Sequence, residues 1–226
     1  MADLIPRVAI VDYGVGNLFS VEQACAFVGL TSVITNSRKD ILDADAVILP
    51  GVGAYGDAMA TLHRLDLVGV LRDIAASATP LVGICLGLQL LMTESCEFGN
   101  HQGLGIIEGS VVPFDAPREN DRILKVPHIG WNRIFQPAQG LPWQGTLLDG
   151  IIEGEYMYFV HSFIVQPQES SIVLSTSRYG QIEFCSSIQH RNVFACQFHP
   201  ERSGLNGLQI YKNIKYILQS VAQGGT

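Results

Sequence analysis

The chain contains few charged residues, and fewer of them are basic than acidic. Of its 226 residues 15% are charged, and 14 Lys and Arg stand against 21 Asp and Glu, for a formal net charge of −7. Because the sequence has no cluster of Lys and Arg, we expect no nucleic acid and no anionic membrane surface as a partner. It also lacks a run of about 18 apolar residues, which a membrane-spanning helix would need.

The five cysteines follow no pairing motif. The sequence has no C-x-x-C pair and no Cys/His spacing typical of a zinc site, so we expect free thiols and no metal. Residues 1–7 contain Asp3 and Pro6 and no apolar core, unlike a signal peptide. These absences predict a cytoplasmic protein.

The length fits one α/β domain, and we expect a single domain over residues 1–226. The apolar patterns predict strands over 8–11, 32–35 and 46–49, and helices from Asn17 or Ser20 to about 28, over 57–76 and over 206–220. Short Val, Ile, Tyr and Phe runs over 103–187 predict antiparallel hairpins. The whole predicts an α/β three-layer sandwich with a mixed, mostly parallel central sheet and an antiparallel β extension.

Cys85 lies where a strand pattern changes into a helical one. Residues 81–84 are apolar and branched, and residues 86–94 carry Leu, Gln and Met at helical spacing. Gly83 and Gly87 flank the cysteine, and such glycines tolerate strained backbone angles and leave room for a substrate. The start of a helix favours negative charge on the sulfur. This pattern predicts a nucleophile elbow, and a buried, inert cysteine is the alternative.

A second apolar run, residues 193–198, leads into a His-Pro-Glu sequence. Because Pro200 disfavours the helical region for His199, we expect an extended segment with His199 and Glu201 on one side, about 7 Å apart. A carboxylate there holds one imidazole nitrogen, and the other nitrogen takes a proton from Cys85. Both motifs follow strands, where open α/β sheets build their active sites. A purely structural histidine is the alternative.

The loop over residues 51–56 has the glycine spacing of a dinucleotide-binding fingerprint. However, the strand before it ends in Pro50, and no acidic residue closes a second strand about 20 residues further on. We therefore favour an oxyanion hole, in which this loop and the amide after Cys85 place backbone N–H groups near a reacting carbonyl. We expect no cofactor.

Cys85 together with the His-Pro-Glu sequence resembles the catalytic triad of the class I glutamine amidotransferases. Further strings are similar to the glutaminase subunits of imidazole glycerol phosphate synthases, which serve histidine biosynthesis, and the resemblance covers nearly the whole chain. These strings are DYGVGNL (12–18), PGVGAYGDAM (50–59), VPHIGWN (126–132), YFVHSF (158–163) and QFHPERS (197–203).

The resemblance implies hydrolysis of glutamine to glutamate and ammonia through a cysteinyl thioester. It implies that Cys85 is the nucleophile, that His199 transfers protons and that Glu201 orients His199. It further implies an oxyanion hole from the backbone of Val52 and Leu86. The implied glutamine-binding residues are Gly53, Gln89, Glu97, Ser162 and Phe163.

The resemblance also implies a partner, a separate cyclase subunit with a (β/α)₈ barrel. The two would form a heterodimer in which the cyclase uses the ammonia to make imidazole glycerol phosphate and AICAR. The implied interface positions are Asn17, Trp131, Tyr158 and Arg202, the last of which is commonly Lys in the family. A helix cap at Asn17 and core packing of Trp131 and Tyr158 are the alternatives.

Two other functions stay open from the sequence. The first is a glutaminase that serves another synthase, of anthranilate or pyridoxal phosphate. The second is a non-catalytic binding or stress protein on the same elbow fold, although such proteins often lack the His-Pro-Glu element.

Overall fold

The computed structural model describes residues 6–138 and 140–224. The prediction about a signal peptide concerns residues 1–7, of which 1–5 lie outside these ranges. Within them, none of the helices combines the length and the apolar character that crossing a bilayer requires.

The first part of the chain alternates strands and helices. In order they are β1 (Arg7–Val11), α1 (Leu18–Phe27), β2 (Thr31–Thr35), α2 (Arg38–Leu42), β3 (Ala46–Gly51), α3 (Tyr55–Arg64), α4 (Val68–Ala76), β4 (Leu81–Cys85) and α5 (Leu86–Leu90). The four strands are parallel, in the order β2-β1-β3-β4.

The second part is mostly strands. They are β5 (Met92–Ser95), β6 (His101–Gln102), β7 (Ile107–Pro113), β8 (Arg118–Glu119), β9 (Arg122–Ile123), β10 (His128–Arg133), β11 (Tyr156–His161), β12 (Phe163–Pro167), β13 (Val173–Tyr179), β14 (Ile182–His190) and β15 (Val193–Cys196), followed by α6 (Gly204–Gly224). Strand β15 lies parallel to β4, and β14, β12, β7, β5 and β6 extend the same sheet beyond it. The pairs β8–β9 and β10–β11 form separate hairpins. The mixed sheet with an antiparallel extension is confirmed.

Helices cover both faces of the parallel part. Because neighbouring residues of a strand point to opposite faces, Ala9 and Val11 pack with α3 and α4, whereas Val8 and Ile10 pack with α1 and α6. All four residues are fully buried. The predicted three-layer arrangement is therefore confirmed.

Four predicted boundaries are wrong. The helix predicted over 57–76 is two helices, because Asp66 adopts a φ of 54° between α3 and α4. The helix after Cys85 ends at Leu90, since Met92–Ser95 pairs with β7, and sheet contacts override helical spacing there. Strand β3 continues beyond 49 to Gly51, paired with β4, and the last helix is longer than 206–220.

Candidate active site

Cys85 occupies the sharp turn between β4 and α5, with φ 55° and ψ −108°. A positive φ is uncommon and strained for a residue with a side chain. The flanking glycines have a different role from the predicted one. A Cβ at Gly87 would lie 1.9 Å from the carbonyl oxygen of Leu49, and one at Gly83 would lie 3.0 Å from Cβ of Ala195. Close packing therefore leaves no space for a side chain at Gly87 and little at Gly83, and the cysteine carries the strain.

The histidine and the carboxylate of the second motif are in contact. Nδ1 of His199 lies 2.8 Å from Oε1 of Glu201, and the side chains are 3% and 1% exposed. The prediction of an extended segment is wrong beyond His199, because Pro200–Arg202 forms a 3₁₀ turn. That turn brings the carboxylate back to the imidazole. Nδ2 of Asn17 approaches the same carboxylate oxygen at 3.5 Å.

The two motifs meet at one edge of the sheet. Strand β15 runs parallel to β4, with Cys196 opposite Ile84, so the residues that follow the two strands are neighbours. Nε2 of His199 is buried and has no hydrogen-bond partner among the described residues. Burial lowers the pKa of His199, but its interactions with Cys85 and Glu201 outweigh burial and raise the pKa to about 10. A protonated imidazole beside the sulfur favours the thiolate.

A cavity of about 220 Å³ opens beside Cys85. Its size suits a small ligand. It brings together every residue predicted for the oxyanion hole and for glutamine binding. The lining consists of Val52, Gly53, Cys85, Leu86, Gln89, Glu97, Pro127, Val160, His161, Ser162 and Phe163.

Glu97 also contacts the start of α3. Its Oε2 accepts a hydrogen bond from the backbone N–H of Tyr55, the first residue of that helix. Dinucleotide sites of the fingerprint type place a phosphate at the helix N-terminus. In this structure the Glu97 carboxylate lies where a fingerprint-type loop would hold a phosphate.

Comparisons with known proteins identify the family. Residues 9–215 match the glutamine amidotransferase class-I family. The chain is a class-I glutamine amidotransferase. It is 44% identical over 210 residues to imidazole glycerol phosphate synthase subunit HisH of Aquifex aeolicus, covering 92% of this chain and 96% of that protein. It is 43% identical over 218 residues to the HisH protein of Moorella thermoacetica, covering 96% and 98%.

Solved structures of other proteins share the fold. PurLQS from Thermotoga maritima superimposes with a TM-score of 0.72 at 19% identity, covering 95% of this chain and 100% of that chain. The glutaminase domain of CTPS from Trypanosoma brucei gives a TM-score of 0.64 at 14% identity, covering 95% of this chain and 94% of that chain. At these identities the likeness concerns the fold.

One polar residue at the glutamine amidotransferase site, Gln197, has no counterpart among the residues predicted from the sequence. Gln197 is fully buried, and its Nε2 lies 3.6 Å from Sγ of Cys85. Its Oε1 accepts a hydrogen bond of 3.0 Å from Nε2 of Gln89. A signal was available in the sequence, because a polar residue directly after the buried strand β15, two positions before His199, is unusual in an apolar run.

Two buried histidines, His161 in the cavity lining and His128 beside it, also have no counterpart among the predicted residues. Nδ1 of His128 lies 3.1 Å from Nε2 of His161, and Nδ1 of His161 lies 2.9 Å from the carbonyl oxygen of Phe163. Burial lowers the pKa of His128 to about 4 and the pKa of His161 to about 3. Both rings are therefore neutral at pH 7. His161 then donates to Phe163 and accepts from His128, which fixes both tautomers.

The residues predicted at the partner interface contact either one another or the Glu201 carboxylate. The rings of Trp131 and Tyr158 meet edge to face at 5.9 Å, and the Arg202 guanidinium lies 4.6 Å from the centre of the Tyr158 ring. Trp131 is 54% exposed, so it is not a core residue. The side chain of Asn17 makes no capping hydrogen bond to α1 and instead approaches Glu201.

Proposed function

We propose that this chain hydrolyses the side-chain amide of glutamine, with Cys85 as nucleophile, His199 as proton carrier and Glu201 as its orienter. One observation carries the proposal: Glu201 holds Nδ1 of the buried His199 and leaves its Nε2 without a partner among the described residues, and the same imidazole interacts with Cys85, which lines a cavity of the size of a small ligand. The HisH relatives support it, because they belong to the same family of glutamine-cleaving enzymes.

In the first half of the reaction, the Cys85 thiolate attacks the side-chain amide carbon of glutamine. The resulting oxyanion would be held by backbone N–H groups of Val52 and Leu86, both of which line the cavity. Loss of one such donor typically costs about 3 kcal/mol in the barrier. The C–N bond then breaks, and His199 gives its proton to the departing ammonia.

In the second half, water attacks the thioester. His199, now neutral, takes a proton from the water, the C–S bond breaks, and glutamate leaves. The thiolate and the protonated His199 are regenerated. Overall, glutamine and water become glutamate and ammonia.

Polar groups around the cavity suit the rest of the substrate. Nε2 of Gln89 donates to the carbonyl oxygen of Phe163 and to Gln197, so its Oε1 is the atom that is left to accept a hydrogen bond from glutamine. We assign the carboxylate of Glu97 to the substrate ammonium group. Gly53 and Ser162 also line the cavity.

The HisH relatives are named as one subunit of a synthase, so we propose a partner for this chain. The partner would be a cyclase subunit with a (β/α)₈ barrel that uses the ammonia to make imidazole glycerol phosphate and AICAR. The exposed Trp131 and Arg202, which contact the half-buried Tyr158 between them, would bind it together with Asn17. We place the reaction in the cytoplasm, in keeping with five free thiols.

Glutamate release from glutamine by the chain with its cyclase partner tests the proposal. Because the sulfur forms the covalent intermediate, Cys85→Ala is expected to reduce the rate to background. The exposed thiol of Cys96 provides a matched control, and Cys96→Ala is expected to keep the rate. Activity that survives in Cys85→Ala would reject nucleophilic catalysis by this residue. A complex with a chorismate-using partner would instead favour anthranilate synthesis.

A further inference from the structure

We propose that Gln197 is a further catalytic residue, which donates a hydrogen bond from its side-chain amide to the sulfur of Cys85 and stabilises the negative charge there. This inference rests on the proposed role of Cys85 as nucleophile. It assigns a function to the one fully buried amide side chain, among the described residues, that touches the reacting atom.

The position of Gln197 is set by the sheet. It follows β15 directly, and its backbone N–H donates a 2.9 Å hydrogen bond to the carbonyl oxygen of Ser186 in β14. Strand β4, which ends in Cys85, is the other neighbour of β15. The side chain of Gln197 therefore reaches the sulfur from the adjacent strand, at 3.6 Å from Nε2 to Sγ.

The orientation of the Gln197 amide follows from its neighbours. The carbonyl oxygen of Phe163 is an acceptor, so the atom of Gln89 that lies 3.2 Å from it must be the nitrogen. The same nitrogen lies 3.0 Å from Gln197, which must present its oxygen in return. The Gln197 nitrogen then faces the sulfur. The backbone carbonyl of Phe163 thus fixes the orientation of the Gln89 amide. Gln89 in turn fixes the Gln197 amide with its nitrogen toward the sulfur of Cys85.

The other contacts of the sulfur show why this donor matters. Sγ lies 3.7 Å from the carbonyl oxygen of Val160, which accepts a hydrogen bond from a thiol but offers none to a thiolate. His199 also stabilises the thiolate, because it is protonated when the sulfur attacks and protonated again when the sulfur leaves the thioester, but between these stages it gives up its proton to the departing ammonia. The Gln197 amide keeps its hydrogens throughout. It therefore supports the sulfur at both stages at which the charge appears, attack on the amide and departure from the thioester.

Two variants separate this role from a packing role. Gln197→Glu has nearly the same shape and keeps an oxygen that accepts from Gln89, but a carboxylate offers the sulfur no donor and adds negative charge. Gln197→Met has a similar volume and neither donor nor acceptor. Gln166→Glu makes the same chemical change at an exposed position of β12 and is the matched control.

The primary measurement is the rate of alkylation of Cys85 by iodoacetamide as a function of pH, in the full chain, resolved by site with mass spectrometry. Cys96, which is exposed, is the internal reference in each sample. The second measurement is kcat and KM for glutamate release in the complex with the cyclase.

In both Gln197 variants we expect alkylation of Cys85 at pH 7 to slow by roughly tenfold or more, since a hydrogen bond to a charged group is lost. The pH midpoint of alkylation should move to higher pH. Alkylation of Cys96 should not change, and kcat should fall with little change in KM. The control Gln166→Glu should match the parent chain in every measurement.

Alkylation of Cys85 at the parent rate in either variant would overturn the inference. A reduction of the Cys85 alkylation rate by the same factor at every pH, together with a lower melting temperature, would also overturn the inference, because that pattern indicates a packing role. If Gln197→Glu does not fold, Gln197→Met decides the question. Alkylation requires no turnover, so a failure here leaves the role of Cys85 as nucleophile standing, whereas activity in Cys85→Ala rejects the proposed function separately.

Discussion

At the scale of single residues, the contact distances around the elbow are as important as its chemistry. Cys85 has a φ of 55°, and α5 lies so close to β3 that Gly87 has no space for a side chain. The close approach holds the first turn of α5 against the sheet. The strained cysteine is therefore kept in place by the packing of its neighbours, as strained functional residues commonly are.

Gly87→Ala tests this packing. A Cβ at 1.9 Å from the Leu49 carbonyl oxygen forces α5 away from β3, so we expect a loss of about 1–3 kcal/mol in the free energy of unfolding, measured by urea denaturation. The matched control is Gly69→Ala in α4, where a Cβ would meet no atom within 4 Å. Alanine there is expected to be neutral or stabilising. Equal stability of the two variants would contradict the packing argument.

At the scale of elements, the β10–β11 hairpin has two different faces. His128, Met157, Phe159 and His161 are buried on one face, and Trp131 is exposed on the other. A two-stranded sheet is only marginally stable by itself, so the buried aromatic face must anchor it. The exposed face is then available to a partner without affecting the anchor.

Trp131→Ala is expected to weaken binding of the cyclase by about 2 kcal/mol, because a large exposed aromatic residue in a stack is typical of an interface hot spot. Isothermal titration calorimetry measures the change. Tyr216→Ala provides the control, since Tyr216 is also an exposed aromatic residue, 73% exposed, but lies on α6. A loss of affinity in the control alone, or in neither variant, would reject the proposed docking face.

At the scale of the whole molecule, the buried histidines affect stability in opposite directions. In the folded chain the pKa of His128 is about 4 and that of His161 is about 3, both below the ordinary value of 6.5. At pH values between the folded and the ordinary pKa, the unfolded chain therefore binds more protons than the folded chain. Their contribution to the free energy of unfolding therefore falls as pH drops below 6.5. His199 has a folded pKa of about 10, so its contribution is complete below 6.5 and falls as pH rises toward 10.

We therefore expect His128→Phe to weaken the acid dependence of stability. Phenylalanine keeps the stack on Tyr179, whose ring centre lies 4.1 Å from that of His128, but takes up no proton. Urea denaturation at several pH values between 4.5 and 6.5 gives the slope of the free energy of unfolding against pH. In the variant this slope should be smaller by ~1.4 kcal/mol per pH unit, which corresponds to one proton. His63→Phe, at an exposed position of α3, is the control. An unchanged slope in His128→Phe would show that His128 does not stay neutral in the folded chain.

Much of the fold and of the candidate site could be predicted from residue patterns. The apolar runs before Cys85 and His199 predicted buried strands, and the rule that active sites form at strand ends predicted that the two motifs meet. The boundaries were less predictable. Residues 92–95 have helical spacing but form β5, because pairing with β7 decides their conformation. The 3₁₀ turn was missed because Pro200 disfavours a helical conformation only for the residue before it, whereas its own φ, fixed at about −65°, suits the first position of a helical turn.

By itself, the sequence determined the layer order of the fold, the positions of the proposed nucleophile and its histidine, and the family, because periodicity and short motifs are local properties of a chain. The tertiary structure decided which contacts surround the sulfur. Gln197, Val160 and Gln89 come from separate elements, and their hydrogen bonds exist because β15, β11 and α5 converge on one edge of the sheet. Such contacts depend on distances between strands that are far apart in the sequence, and residue order alone does not encode them locally.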